Sequence, residues 1–296
     1  MITGKTKLLG VIGCPVGHSL SPVMHNAALA DLGLNYVYLP LPIEPQDLEV
    51  AIAGLAAVGV VGFSVTIPHK QAIMPLLAEI TPLAQAIGAV NTVTRKDNQW
   101  VGTNTDIIGF IHPLQTTYQQ DWSQKIAVIL GNGGAARAVV AGCHQLGLAE
   151  IHVVGRNFEK LQEFQQSWED SPIGENLRVH TWDKLTQLLP QADLLVNTTP
   201  IGMYPKVDDS PVSADEMANL PTGAIAYDLI YIPQPTKFLQ YAQNQGAMST
   251  TGYAYAIDGL EMLVQQGVAA LKIWLQQDDI PVDVMRQALK QQLGLG

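Results

Sequence analysis

The chain has 296 residues, 47% of them hydrophobic and 14% charged, which is enough to bury the cores of two domains. Its formal net charge of −10 excludes a surface built for nucleic acid or an anionic membrane, so any anionic ligand must be held by local donors. The two cysteines, Cys14 and Cys143, lie far apart without ligand-like spacing to histidines, so neither a metal site nor a disulfide framework is indicated and a cytoplasmic location is expected.

The opening MITGKTKLLGVIG lacks the continuous apolar core and cleavage site of a signal peptide. Short strands then alternate with helical patterns: KLLGVIG, a helix from Ser21, NYVYLPLPI, a helix from about Pro45, GFSVTI and a helix from His69. The uncharged stretch from Val50 to Val65 is too short and too interrupted by Gly54, Gly59 and Gly62 to span a membrane, and reads as helix, turn and strand. VNTVTRKDNQWVGT folds as a hairpin about a turn at Lys96, Asp97 and Asn98, which closes a first region near residue 104.

The second region starts with KIAVILGN, a strand apolar enough for burial on both faces. A helix from about Ala135 to Leu146 stopped by Gly147, the strand EIHVVG, a helix from Asn157 and the strands DLLVNTT and GAIAYDLI complete a doubly wound β-α-β pattern. After Gly252 the chain returns to apolar helix, DGLEMLVQQGVAALKIW, with no further strand expected. The fold class is thus α/β in two domains: residues 1–104 with 253–296 as a discontinuous domain completed by the C-terminal helix, and 105–252 as a doubly wound Rossmann-type domain.

The cofactor assignment rests on the order strand, glycines, helix in KIAVILGNGGAARAVV. Gly131 makes the tight turn, Gly133 lets backbone approach a pyrophosphate, and the amides at the start of the helix face its charge. At the end of the next strand stands Arg156, with Lys160 one helical turn on and no acid at the strand end, so NADP is preferred to NAD and S-adenosylmethionine falls behind. Asn157 reads as the N-cap of the following helix.

A hydride carrier needs a partner that moves the accompanying proton. HSLSP offers Ser19 and Ser21 before a helix, and Ser21 reads equally as a helix cap or as part of a carboxylate grip. Asn91 in GAVNT and Asp106 in GTNTD flank the hairpin, so the fold permits them to meet. Lys70, taken alone, reads first as an ordinary helix-terminus lysine and only second as an acid/base beside Asp106. His18, His25 and His69 read as packing or surface histidines.

Taken in order, VIGCPVGHSLSPVMHNAAL, GFSVTIPHK, IGAVNT, GTNTD, GNGGAARA, VNTTPIGM, YDLIY and DGLEMLVQQG resemble the shikimate dehydrogenase family across nearly the whole chain. The resemblance implies NADP-dependent interconversion of shikimate and 3-dehydroshikimate on the route to chorismate and aromatic amino acids. It implies that Ser19 and Ser21 hold the substrate carboxylate, that Thr66, Asn91, Asp106 and Gln266 hydrogen-bond the substrate, and that Tyr231 closes over it. Lys70 becomes the proton-transferring residue, paired with Asp106. Gly131, Asn132, Gly133, Gly134 and Ala135 would take the pyrophosphate, Arg156, Asn157 and Lys160 the adenosine end, and Leu229 and Gly259 the nicotinamide side.

The chain departs from the family at Gly155-Arg156-Asn157, where Asn-Arg-Thr is frequent, and at Asp258 and Glu261, where Asn and Gly are expected. Rival readings are the quinate/shikimate branch that also uses NAD, the methylenetetrahydrofolate dehydrogenases and a non-catalytic NADP sensor. Arg156 and Ser21 argue against the first, HSLSP and PHK against the second, and the retained Lys70 and Asp106 against the third. The expected partners are the small-molecule substrate and, at most, a second copy of the chain in a homodimer.

Overall fold

The computed structural model describes residues 2–118, 120–248 and 255–295. The chain opens with β1 (Lys7–Gly13), α1 (Ser21–Asp31), β2 (Tyr36–Pro42), a 3-10 turn at Pro45–Asp47 leading into α2 (Leu48–Ala57), and β3 (Val60–Val65). There follow the short α3 (His69–Ala72), β4 (Glu79–Ile80), α4 (Pro82–Ile87), β5 (Thr92–Lys96), β6 (Gln99–Thr103) and α5 (Asp106–Thr117). Next come β7 (Ile126–Leu130), α6 (Gly134–Leu146), β8 (Glu150–Gly155), α7 (Phe158–Gln166), β9 (Leu177–Thr181), α8 (Leu185–Leu188) and β10 (Leu194–Asn197). The chain continues through α9 (Ala214–Met217), β11 (Ile225–Asp228), α10 (Lys237–Met248), β12 (Tyr255–Ile257), α11 (Leu260–Leu275) and α12 (Val282–Leu293).

These elements pack as two units, Met1–Gly109 with Leu263–Gly296, and Phe110–Met262, the chain passing from one to the other inside α5 and inside α11. The expected joint at residues 252 and 253 falls outside the described residues.

In the first unit six strands run in the order β2-β1-β3-β5-β6-β4. β1 pairs in parallel with β2 and β3, while β5 turns antiparallel to both β3 and β6. That reversal is local: Asp97 and Asn98 adopt left-handed backbone (φ 49° and 62°), which gives a two-residue turn the twist a tight hairpin needs. Ile12, Phe63, Val65, Ile73 and Val93 fill one side of the sheet, with Phe63 edge-on to Trp100 at 5.1 Å.

The C-terminal part of the chain finishes this unit. Trp274 of α11 donates its indole N–H to the Val93 carbonyl at 2.9 Å. It lies over Gly62, where a Cβ would come within 2.3 Å of the indole nitrogen. α12 packs against α1. His25 of α1 is fully buried, stacked 4.2 Å from Tyr38 of β2 and tilted 5.6 Å from Trp274 of α11, with no hydrogen bond on either ring nitrogen.

The second unit is a six-stranded parallel sheet in the order β12-β11-β10-β7-β8-β9. Numbered within the unit this is 3-2-1-4-5-6, the Rossmann order. Two of these strands carry no strand signal in the sequence: the expectation of no strand after Gly252 is corrected by β12, and β9 (LRVHT) has no apolar run to mark it. Both are edge strands. β12 has three residues, too few for a periodic signal, and β9 is mostly half-buried with charged and polar side chains, so neither shows the apolar run that betrays the buried β7. Among the described residues no helix is long and apolar enough to cross a membrane.

Burial lowers the His25 pKa to about 3, well below the 6.5 of a free histidine. The unfolded chain therefore takes up a proton below pH 6.5 that the folded one refuses, and the stability that the neutral ring provides above that pH is lost as the pH falls toward 3. Relative to His25→Phe, the wild type should lose about 3 kcal/mol between pH 7 and pH 4.5 in urea unfolding. A pH-independent difference between the two would contradict this account.

Candidate active site

Three chain ends meet at one edge of the first sheet. β3 runs out at Val65 and the chain turns through Thr66 into α3, carrying Lys70. β5 begins beside that end, with Ser64 opposite Thr92, and β6 finishes opposite the same residue, with Thr103 facing Thr92. Backbone bonds fix the junction: Val65 N–H donates to the Asn91 carbonyl (2.7 Å), Val90 N–H to the Lys70 carbonyl (2.8 Å) and Asn91 N–H to the Thr103 carbonyl (3.1 Å).

The side chains then converge. Lys70 Nζ donates to Asp106 Oδ2 at 2.5 Å, and Asn91 Nδ2 donates to Asp106 Oδ1 at 2.8 Å. Asp106 is the first residue of α5, where the exposed amides of a helix start favour a carboxylate, and its own N–H is capped by Asn104 Oδ1 at 2.9 Å. Asn104 is tied in turn to the Ala89 carbonyl at 3.0 Å. The pair is largely enclosed, with side-chain exposures of 15% for Lys70 and 8% for Asp106, so the attraction acts with less water screening than on a surface.

The other residues expected around the substrate are distributed as follows. Ser19 Oγ accepts the backbone N–H of Ser21 at 3.3 Å. Leu20, and not Ser21, occupies the cap position of α1, so the capping alternative for Ser21 is corrected: the helix has already begun, and Pro22 sits in its first turn. Thr66 lays its methyl against Gly13, where a Cβ would stand 2.4 Å away. Gln266, on α11 in the same unit, folds its amide back onto the Leu263 carbonyl at 2.7 Å and makes no hydrogen bond to the Lys70, Asp106 and Asn91 cluster. His69 is buried with Nε2 donating to the Ile43 carbonyl at 2.7 Å, which makes it a pin for the α3 turn. Tyr231 belongs to the second unit.

In the second unit the strand order reverses between β7 and β10, the position at which open α/β sheets hold ligands. Gly131 leaves β7 with φ 102°, and a Cβ there would lie 2.8 Å from Thr198 Oγ1. Thr198 is itself fastened to the Leu130 carbonyl through its hydroxyl (2.7 Å) and amide (3.0 Å). Gly133 caps the thirteen-residue α6 with no side chain over the first turn and open space beyond, a cradle that fits a pyrophosphate. Arg156 is exposed just after β8, and Asn157 is the N-cap of α7, accepting from Lys160 N–H at 2.9 Å. These residues fit the phosphate-bearing end of NADP.

A buried network behind this edge carries no sequence assignment. Asn197 Nδ2 donates to Asp228 Oδ1 at 3.0 Å, Ile230 N–H to the same oxygen at 3.1 Å and Thr236 Oγ1 to Asp228 Oδ2 at 2.7 Å. Asn197 Oδ1 also receives Thr199 through its amide and hydroxyl. The loops after β10 and β11 are thereby joined. Burial raises the Asp228 carboxyl to about 7 against the pull of these donors. Leu229 and Gly259 touch beside it, and a Cβ at Gly259 would stand 2.1 Å from the Leu229 carbonyl oxygen. Thr92, Asn104 and Thr105 in the first unit, and Asn197 and Asp228 in the second, all lie inside the quoted motifs; their position there was the only signal.

The family model for the shikimate dehydrogenase substrate binding domain matches residues 11–93, that for shikimate / quinate 5-dehydrogenase matches 114–204, and that for the shikimate 5′-dehydrogenase C-terminal domain matches 259–290. A shikimate dehydrogenase (NADP(+)) of Trichormus variabilis is 79% identical over 295 residues, covering 100% of both chains. The chain belongs to the shikimate dehydrogenase family. Among solved shikimate dehydrogenases, one in complex with NADP+ is 40% identical with TM-score 0.85, covering 99% of this chain and 98% of its own. The shikimate 5-dehydrogenase of Thermus thermophilus, in complex with NADP(H) and shikimate, is 31% identical with TM-score 0.82, covering 97% of this chain and 99% of its own.

In this chain Gly131→Ala would force a left-handed alanine against Thr198. The apoprotein should lose about 1–3 kcal/mol, read as a lower urea midpoint, whereas a neutral substitution would show that the turn relaxes freely.

Proposed function

We propose that Lys70 and Asp106 form the proton-transfer pair of this enzyme. The enzyme is an NADP-dependent oxidoreductase that interconverts 3-dehydroshikimate and shikimate. The observation that carries the residue assignment is the Lys70 ammonium held 2.5 Å from Asp106, whose second oxygen is held by Asn91.

When bound, the nicotinamide cofactor supplies or accepts the hydride. In the reducing direction the Lys70 ammonium donates its proton to the oxygen that gains charge, and in the oxidising direction the neutral amine takes it from the hydroxyl. Asp106 keeps the amine in place and compensates its charge between turnovers. Ser19 and Ser21 are assigned to the substrate carboxylate, and Thr66, Gln266 and Tyr231 to its remaining polar groups, while Asn91, whose amide is filled by Thr92, Thr105 and Asp106, is assigned to the substrate site through its hold on Asp106.

We assign the unit Met1–Gly109 with Leu263–Gly296 to substrate binding and the unit Phe110–Met262 to NADP, in place of the sequence bounds 1–104 with 253–296 and 105–252. The first assignment is supported by the substrate-binding family model over residues 11–93. Gly131 to Ala135 are assigned to the pyrophosphate, Arg156, Asn157 and Lys160 to the phosphorylated adenosine, and Leu229 and Gly259 to the nicotinamide side. We assign the enzyme to the cytoplasm on the strength of its biosynthetic reaction. Sedimentation distinguishes a monomer from the homodimer that the sequence allows.

Lys70→Ala should lower kcat about a thousandfold or more while KM for shikimate changes little, because the lost contact belongs to the proton in flight. Optical assay of NADP reduction checks this, and near-normal kcat would overturn the assignment. Arg156→Ala should weaken NADP at least about tenfold more than NAD, as expected for a cation that reads the 2′-phosphate. Equal losses would remove that role.

A further inference from the structure

We propose that Thr92, which is fully buried, is a positioning residue that locks the Asn91 amide and through it the Asp106 carboxylate. The inference rests on the reading of Lys70 and Asp106 as the proton-transfer pair.

The argument follows the hydrogens. A backbone N–H can only donate, so the Asn91 side-chain atom 2.7 Å from Thr105 N must be the oxygen Oδ1. The nitrogen Nδ2 then has two hydrogens and two neighbours, Asp106 Oδ1 at 2.8 Å and Thr105 Oγ1 at 3.0 Å. Oδ1 has a second lone pair, and the Thr92 hydroxyl lies 2.9 Å from it. With both lone pairs filled, the Thr105 hydroxyl hydrogen is directed to Thr92 Oγ1 at 3.0 Å, since its distance to Asn91 Oδ1 is the longer 3.2 Å.

A closed ring results: Thr105 donates to Thr92, Thr92 to Asn91 and Asn91 back to Thr105. One Asn91 hydrogen remains, and it points at Asp106. If the amide were reversed, its oxygen would face a carboxylate oxygen and the Thr105 N–H would face an NH2 group, so Asp106 and the Thr105 N–H choose the orientation and the Thr92 hydroxyl, donating to Oδ1, holds the amide in it. Asp106 Oδ1 is occupied from behind, and Oδ2 is left to Lys70.

Thr92→Val keeps the shape and removes the hydroxyl. Asn91 Oδ1 then loses a donor, the Thr105 hydroxyl turns to replace it from farther away, and Asp106 is held less firmly. In the full-length enzyme this variant should lower kcat about tenfold, about the worth of one hydrogen bond, with KM for shikimate within about twofold. Thr92→Ser restores the ring and should keep kcat within about twofold of wild type.

The same substitution in a Lys70→Ala background should cost nothing further, because the group that Thr92 positions is no longer served. A merely structural role would lower the residual activity by the same factor in both backgrounds. Folded Thr92→Val with wild-type kcat, or an undiminished loss in the Lys70→Ala background, would overturn the proposal. Should the valine variant fail to fold, Thr92→Ala, which crowds nothing, carries the same pair of measurements. Lys70→Ala alone retaining near-normal kcat would instead sink the proton-transfer reading, a result independent of Thr92.

Discussion

One buried amide organises the first unit's chemistry. Asn91 sits where β5 begins, 2% exposed, and every hydrogen and lone pair of its side chain has a partner in Thr92, Thr105 or Asp106. An unsatisfied amide at this depth costs more than a made bond contributes, so the start of β5 and the junction of β6 with α5, which supply those partners, are held to one arrangement. The pair proposed for proton transfer gains rigidity from its surroundings: the Lys70 ammonium is bonded to Asp106, and Asp106 is held by atoms farther from solvent than itself.

The second unit uses backbone where the first uses side chains. The end of its sheet where the strand order reverses depends on the absence of Cβ atoms at Gly131 and Gly259, each pressed against a neighbouring loop. The loops themselves are joined by Asn197 and Asp228. A carboxyl raised to about 7 by burial is held there by three donors, so its ionised form is favoured by the bonds and penalised by the surroundings. Its effect on stability has the opposite sign to that of His25: the folded chain retains a proton on Asp228 that the unfolded chain releases above its ordinary value of 3.8, so this unit loses stability as the pH rises toward 7.

Much of this was readable before any coordinates. Continuous apolar runs such as AVIL in β7 announce strands buried on both faces, and Gly147 ends α6 in the left-handed conformation that its sequence position suggests. Lys70, Asn91 and Asp106 could be named, because they stand at the ends of recognisable elements. Their union could not be read, since it depends on β5 turning back beside β3, a pairing that joins residues nearly thirty positions apart. Thr92 and Asp228 were invisible for another reason: each is an ordinary strand residue until its hydrogen-bond partners are known. The short edge strands β9 and β12 lack burial on both faces and therefore lack the pattern that burial writes.

The indole of Trp274 resting on Gly62 also sets a timetable for synthesis. The ribosome delivers the Phe110–Met262 unit as one continuous stretch, whereas the first unit waits for residues after Leu263 before the Val93 carbonyl gains its donor and the Gly62 side of the sheet its cover. The half of the molecule that is made first is thus the half that is finished last, and during elongation its apolar sheet face is the surface most in need of protection.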